Sequence, residues 1–197
     1  MSKFEQLDSL LQKNNGFLKT SDVVNAGISK PHFAEYVRRN GLERVSHGLY
    51  MSQDAWMDGM YQLQTRYPQI IFSHETALYL LKLADREPLQ YTATAKNNLN
   101  TTNLKRQNVK VYKVTDERYS VGVIEVQSPA GHTVRAYNPE RTVCDLIRSR
   151  RGIEIQDLQT ALKEYVRHGG KNLSLLMEYA KIFKVEKILK QYLEVLL

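Results

Sequence analysis

In the stretch NAGISKPHFAEYVRRNGLERVSHGLY, cationic and hydrogen-bonding side chains recur at the spacing of one helix face followed by one tight turn. Ser29, Lys30 and His32 open a predicted helix, Arg38 and Arg39 close it, and Arg44 and His47 follow on a predicted hairpin. Residues of these types on one helix face and the turn after it can contact nucleic acid. Lysine and arginine neutralise phosphates, and a guanidinium can also meet a guanine edge with two parallel donors. The expected roles are phosphate or base-edge contacts for Ser29, Lys30 and His32, and backbone or guanine contacts for Arg38 and Arg39. Arg44 and His47 would reach phosphates or the minor groove, although His47 reads equally well as a plain loop residue. Glu35 falls on the exposed side, where it faces a cytosine amine or lies off the interface, because a carboxylate repels phosphate.

Two helices and a hairpin must hold these groups. Thr20 and Ser21 offer hydroxyls to cap the first helix, and Gly27 ends it where a positive φ costs little. Ser29 is expected to cap the second helix, with Pro31 tolerated in its first turn. Phe33 and Val37 then turn inward while Lys30, His32, Glu35, Arg38 and Arg39 take the other faces. Asn40-Gly41 stops this helix. Residues 42–45 and 49–51 read as short strands joined through Ser46, His47 and Gly48. A preceding helix over residues 3–14 follows from Phe4, Leu7, Leu10 and Leu11. Helix-turn-helix followed directly by a hairpin predicts a winged helix, whose second helix has the size and charge for a DNA major groove.

Further along, Trp56, Met57, Met60, Leu63 and Tyr67 predict a helix over 54–67, and residues 70–72 a short apolar strand. SHETALYLLKLA reads as a helix with Ser73 as cap and with His74 and Glu75 as simple cap residues. Four β-rich pieces follow between 89 and 137: LQYTATA, VKVYKVT, YSVGVIEV and HTVRAY. The polar connection 96–108 is expected to be mobile. Asn138 and Pro139 start a helix reaching Ser149, and 155–168, 172–183 and 185–196 make three more. The fold class is α+β: an N-terminal winged helix-turn-helix (1–52), linking helices (53–85) and a C-terminal domain of mixed β-sheet with flanking helices (86–197).

The balance of charge agrees with a polyanion partner. Lysine and arginine number 28 against 21 acidic residues, a net charge of +7. The excess is uneven, with seven basic and five acidic residues in 1–52 but ten and five in 101–152. Arg141, Arg148, Arg150 and Arg151 therefore suggest a second contact patch, joined from the sheet side by Lys105, Arg106, Lys110 and Lys113. Basic residues near a helix C-terminus are also favoured by the dipole alone. Counterion release grows with each phosphate neutralised, so the second patch would strengthen salt dependence.

Catalytic, metal and cofactor sites are not expected. Cys144 is the sole cysteine and sits on an apolar stripe, which points to a core thiol rather than a nucleophile working with Asp145 and His74 or His132. Glu125 and Gln127 lack the companions of a metal-dependent nuclease. There is no phosphate-binding P-loop and no glycine-rich dinucleotide loop. The amino terminus has no secretory h-region and no apolar run spans a bilayer, so a cytoplasmic location is expected.

The run GFLKTSDVVNAGISKPHFAEYVRRNGLERVSHGLYM resembles the N-terminal domain of AbiEi-type antitoxins, transcriptional regulators of type IV (abortive infection) toxin–antitoxin systems. NAGIS at the turn and RNGLERVSHGLY through the wing carry that resemblance. SHETALYLLKL, NPERTVCDLIRSRR and ALKEYV look like later landmarks of the same family. The resemblance implies an antitoxin that represses its own operon by binding inverted repeats in double-stranded DNA. It also implies phage resistance through a nucleotidyltransferase-like toxin, countered without a stable complex. The chain would be a monomer or weakly self-associating in solution and cooperative on DNA. Alternatives are a ligand-sensing regulator, favoured by an apolar pocket of several hundred Å³, and a nucleic-acid-modifying enzyme with a winged-helix targeting arm.

Overall fold

The structure is a computed structural model that describes residues 2–196. Its elements run α1 (Lys3–Lys13), β1 (Phe17–Lys19), α2 (Thr20–Asn25), α3 (Lys30–Arg39), β2 (Glu43–Ser46), β3 (Leu49–Met51), α4 (Gly59–Arg66), β4 (Ile71–Phe72) and α5 (His74–Leu80). They continue as β5 (Thr92–Lys96), α6 (Thr102–Arg106), β6 (Lys110–Val114), α7 (Asp116–Tyr119), β7 (Val123–Gln127), β8 (Thr133–Tyr137) and α8 (Pro139–Arg148). A 3-10 turn (Arg150–Gly152) precedes α9 (Ile155–Arg167), α10 (Leu173–Ile182) and α11 (Glu186–Leu196). The chain is α+β and forms two compact units. The first is Met1–Pro68 with Gln127–Val134, and the second is Gln69–Val126 with Arg135–Leu197. Residues 53–68, read from the sequence as the start of a linking segment, group with the first unit.

In the first unit, Ser2 and Glu5 form a reciprocal capping box at the start of α1. Leu7, Leu18, Val23, Ile28, Phe33, Tyr36 and Leu42 make one apolar core beneath α1, α2 and α3. Tyr36 is 1% exposed and its hydroxyl donates to Asp8 at 2.6 Å. Burial and that carboxylate raise the phenol's pKa. Beside the helices, β1, β3 and β2 form an antiparallel sheet in that order. The central strand β3 has neighbours on both sides, so the hairpin expected from the sequence is one part of a three-stranded sheet. Phe17-Leu18-Lys19 is too short for its alternation to be distinguished from a loop.

Several boundaries differ from those expected. Thr20 lies inside α2, and the residue at its cap position is Lys19, with no side-chain cap bond. Helix α4 begins at Gly59 rather than 54, because the Asp58 carboxylate accepts from the Tyr61 N–H at 2.9 Å and fixes the N-terminus there. Trp56, expected on that helix, lies ahead of it and is 84% exposed.

The second unit is built on a five-stranded sheet of order β6-β5-β4-β8-β7. Strands β4 and β5 are antiparallel, whereas β4–β8 and β5–β6 are parallel, so the sheet is mixed. The parallel β5–β6 pair explains why 96–108 departs from the expected mobile loop. A parallel pair needs a crossover, and α6 supplies it with Leu104 at 1% exposure. Helix α8 starts where Asn138 accepts from the Arg141 N–H and is buried from Glu140 to Ile147. Val143, Leu146 and Ile147 join Leu158, Leu162, Leu176 and Leu189 of α9, α10 and α11 in the main core.

Candidate nucleic-acid interface

Helix α3 turns its apolar side, Phe33 and Tyr36, into the core of the first unit. At 100° per residue the opposite side carries Pro31, Glu35 and Arg38, flanked by Lys30 and Ala34 on one edge and His32 and Arg39 on the other. Ser29, Lys30, His32, Arg38 and Arg39 are all exposed. Ser29 stands at the N-cap with extended backbone but makes no cap bond. Its hydroxyl instead lies 2.8 Å from His32 Nδ1. The expected cap is thus replaced by a side-chain pair, and the positive end of α3 is not covered by a side-chain oxygen.

The two arginines differ in their surroundings. Arg38 points outward with no ion-pair partner among the described residues. Arg39 reaches Glu35 at 2.7 Å and lies 5.3 Å from the centre of the Phe4 ring. Glu35 therefore neutralises a neighbour on its own helix.

The turn between β2 and β3 gathers the remaining residues. Arg44 Nη2 donates to His47 Nδ1 at 3.1 Å, and Arg44 Nε reaches the Ser46 carbonyl at 3.4 Å. A register shift between Arg44 and Ser46 bends the strand at this point. Gly48 closes the turn at φ +70°, and its carbonyl accepts from the Thr20 N–H at 2.8 Å, tying the turn to the start of α2. Since His47 Nδ1 accepts from a guanidinium, its ring proton belongs on Nε2, facing outward as a donor.

The second cationic set is divided in role. Lys105, Arg106, Arg148 and Arg151 are exposed, the first two in the last turn of α6 and Arg148 at the end of α8. Arg150 instead donates to the Ile147 carbonyl at 3.1 Å, capping the C-terminus of α8. Lys113 bonds the Asn97 carbonyl at 3.1 Å and Lys110 lies over the Tyr112 ring.

Arg141 is the clear departure from the expected surface cluster. It is 0% exposed, with Nε on Asp145 at 2.9 Å and Nη1 on the carbonyls of Arg118 and Val121. The guanidinium lies between the rings of Tyr137 and Phe183, 4.1 and 4.0 Å from their centres. Gly122 passes so close that an added Cβ would sit 2.8 Å from Arg141 Cβ. Arg141 is a core cation. Burial pushes the Asp145 carboxyl upward, and the guanidinium opposes that shift.

Sequence reasoning did not anticipate two buried histidine sites. In the first unit, Asp58 Oδ2 takes hydrogen bonds from both Ser128 Oγ and His132 Nδ1, the latter at 2.7 Å. The His132 ring stacks on Tyr61 and meets the edge of Phe17. Serine and histidine both face the same carboxylate oxygen, so the histidine does not act as a base toward the serine. The hydrogen bonds hold Asp58 below its ordinary pKa despite burial, which acts the other way. In the second unit His74 is 2% exposed, in a left-handed conformation at φ +50°, and stacked on Tyr112. Its ring nitrogens lie 3.0 Å from Ser73 Oγ and from Ser149 Oγ. His74 is thus a packed core residue rather than a simple cap residue. Cys144 lies in the main apolar core of the second unit, its thiol pushed up to about 12 by burial.

Residues 5–53 match the AbiEi antitoxin family of transcriptional regulators. The AbiEi-like segment runs from α1 to the end of the β2–β3 hairpin, and so contains every candidate contact residue of the first unit. Among solved structures, the fold resembles that of the RV2827C protein from Mycobacterium tuberculosis at a TM-score of 0.52. Identity there is 13%, with 93% of this chain and 77% of that chain covered. No curated protein matches the chain. Among the described residues no helix is long and apolar enough to cross a membrane, and no group of three or more His, Cys, Asp and Glu could hold a metal ion.

Proposed function

We propose that the AbiEi-like segment is a winged helix that binds double-stranded DNA, and that the chain is a type IV antitoxin repressing its own operon through inverted repeats. The observation that carries this reading is the solvent face of α3. Lys30, His32 and Arg38 lie exposed on one helix whose N-terminus has no side-chain cap, followed by the Arg44–His47 turn. Helix α3 would lie in the major groove with Arg38 toward base edges or phosphate, and Arg44 and His47 would meet the adjacent backbone. Lys105, Arg106, Arg148 and Arg151 would supply further phosphate contacts. Two protomers would bind one operator cooperatively, each a monomer or weakly self-associating beforehand. The partner toxin would be nucleotidyltransferase-like, the site of action cytoplasmic, and no catalytic step is assigned to this chain.

A second reading, a ligand-sensing regulator, draws support from a cavity of about 490 Å³ in the second unit, lined by Arg150, Lys163, Ile188, Tyr192 and Val195 among others. The two readings share the DNA step, which titration of promoter duplex by fluorescence anisotropy tests. Arg38→Ala should cost about 1–3 kcal/mol if Arg38 reads a base. If it meets phosphate, affinity should fall evenly across sequences and the salt slope should shrink by about 1. Unchanged affinity and salt slope together would exclude the proposed orientation of α3.

A further inference from the structure

The chain that follows α5, residues 82–89, and one face of α9 enclose a cavity of about 600 Å³ within the second unit. Its floor is apolar, from Leu78, Leu83 and Ala161, and Leu89 at its lip is 89% exposed. The rim is acidic. Glu75, Asp85, Glu87, Asp157 and Glu164 line it against only Lys82 and Arg86, in a chain whose net charge is +7. Glu87 accepts from the Tyr91 hydroxyl at 2.7 Å and Glu164 pairs with Arg167 at 3.2 Å. Asp85 and Asp157 have no ion-pair partner among the described residues, whereas Glu75 interacts electrostatically with Lys110.

The lip has a defined shape. Lys82 adopts φ +58° at the end of α5, with its N–H on the Tyr79 carbonyl and the next N–H, of Leu83, on the Leu78 carbonyl. This left-handed residue turns the chain sharply where glycine is the usual occupant, and the following residues form the lip of the groove.

We propose that this groove docks a cationic, amphipathic segment of a protein partner. Its apolar side chains would cover the exposed Leu89 while its lysines or arginines meet Asp85 and Asp157. The carboxylate rim repels phosphate, so nucleic acid does not fit. A free polyamine would satisfy the carboxylates and leave Leu89 uncovered. The exposed Leu89 beside unpaired carboxylates selects an occupant that is cationic and apolar at once. This inference is independent of DNA binding by α3 and survives or fails on its own.

The test uses the full chain and a labelled synthetic peptide with leucine and lysine at helical spacing, read by anisotropy and by backbone amide shifts. The expected result is saturable binding, with shifts confined to residues 75–89 and 157–164. Affinity should fall about tenfold or more in Asp85→Lys/Asp157→Lys, because opposed charges at the rim become like charges. Both positions are exposed, so the fold should persist, and a thermal melt checks that. Leu89→Ser, which leaves the charge alone, should weaken binding severalfold, and a leucine–glutamate peptide should not bind. Any of four results would overturn the proposal: no saturation by about 1 mM peptide, equal affinity for the charge-reversed variant, spermine alone reproducing the shifts, or the substitutions altering self-association of the free chain.

Discussion

Helices α3 and α8 each have ten residues, a proline in the first turn and at least one arginine in the last. One buries only Phe33 and Tyr36 and leaves its cations in water, whereas the other buries everything from Glu140 to Ile147, Arg141 included. The contrast shows that a positive residue in the sequence is not yet a positive surface. Arg141 goes inside because its environment supplies most of what water would have supplied, Nη2 alone of its nitrogens lacking a hydrogen-bond partner. Asp145, one turn on, balances its charge, two backbone carbonyls accept from Nη1, and two aromatic faces sandwich the guanidinium. Arg38 has no such set around it.

The largest effect should come from breaking the α8 side of this contrast. Arg141→Met leaves Asp145 buried without its cation and should cost about 3–5 kcal/mol of stability. Urea denaturation followed by circular dichroism measures it. Replacing Asp145 with Leu as well should recover much of the loss, since an apolar pair of similar volume carries no unpaired charge. By comparison, Arg38→Ala should leave stability within about 0.5 kcal/mol, as expected of an exposed position without tertiary partners. A small effect of Arg141→Met would mean that the two arginines are alike after all.

Two serine–histidine pairs repeat the contrast and yield a pH prediction. Ser29–His32 sits in water on α3, while Ser73–His74 is buried at the start of α5. Burial first, then the charges of Lys110, Arg141 and Arg148, hold His74 well below the usual histidine range. Its folded pKa lies below its unfolded one, so between the two values the unfolded chain binds the additional proton. The stability His74 contributes is complete above about pH 6.5 and declines as pH falls below that, by at most about 1.4 kcal/mol per pH unit. Thermal or urea unfolding between pH 7.5 and 5 should show that slope, and His74→Gln should flatten it.

The sequence carried the elements with a strong period or a cap. Asn138-Pro139 located α8 to the residue because side-chain cap and backbone restriction coincide there. Gly27 likewise marked the end of α2 through its positive φ. Strand β1 was not legible, since three residues hold too little alternation and its pairing with β3 is non-local. The candidate contact residues on α3 were legible as exposed positions of one helix. What they bond to was not: Ser29 meets His32 instead of a backbone N–H, and Arg39 meets Glu35 and Phe4. The depth of Arg141 and the meeting of Asp58 with His132 were invisible for the same reason. Each depends on partners distant in sequence, and neither local period nor composition encodes such distances.

The smallest effect belongs to the Glu35–Arg39 pair, and it divides α3 within itself. The pair spans i to i+4 with both side chains partly in water, Arg39 at 63% and Glu35 at 39% exposure. Such pairs contribute about 0.3–0.5 kcal/mol, so Glu35→Gln should barely change the melting temperature. On DNA it should act in the opposite sense to Arg38→Ala. Removing a carboxylate from the helix face and releasing the Arg39 guanidinium should raise affinity for any duplex by a few fold, with a steeper salt dependence. Anisotropy titrations at two salt concentrations, on promoter and on unrelated duplex, distinguish the cases. Gain on both duplexes makes Glu35 a restraint on phosphate binding, whereas loss confined to the promoter makes it a reader of a cytosine amine.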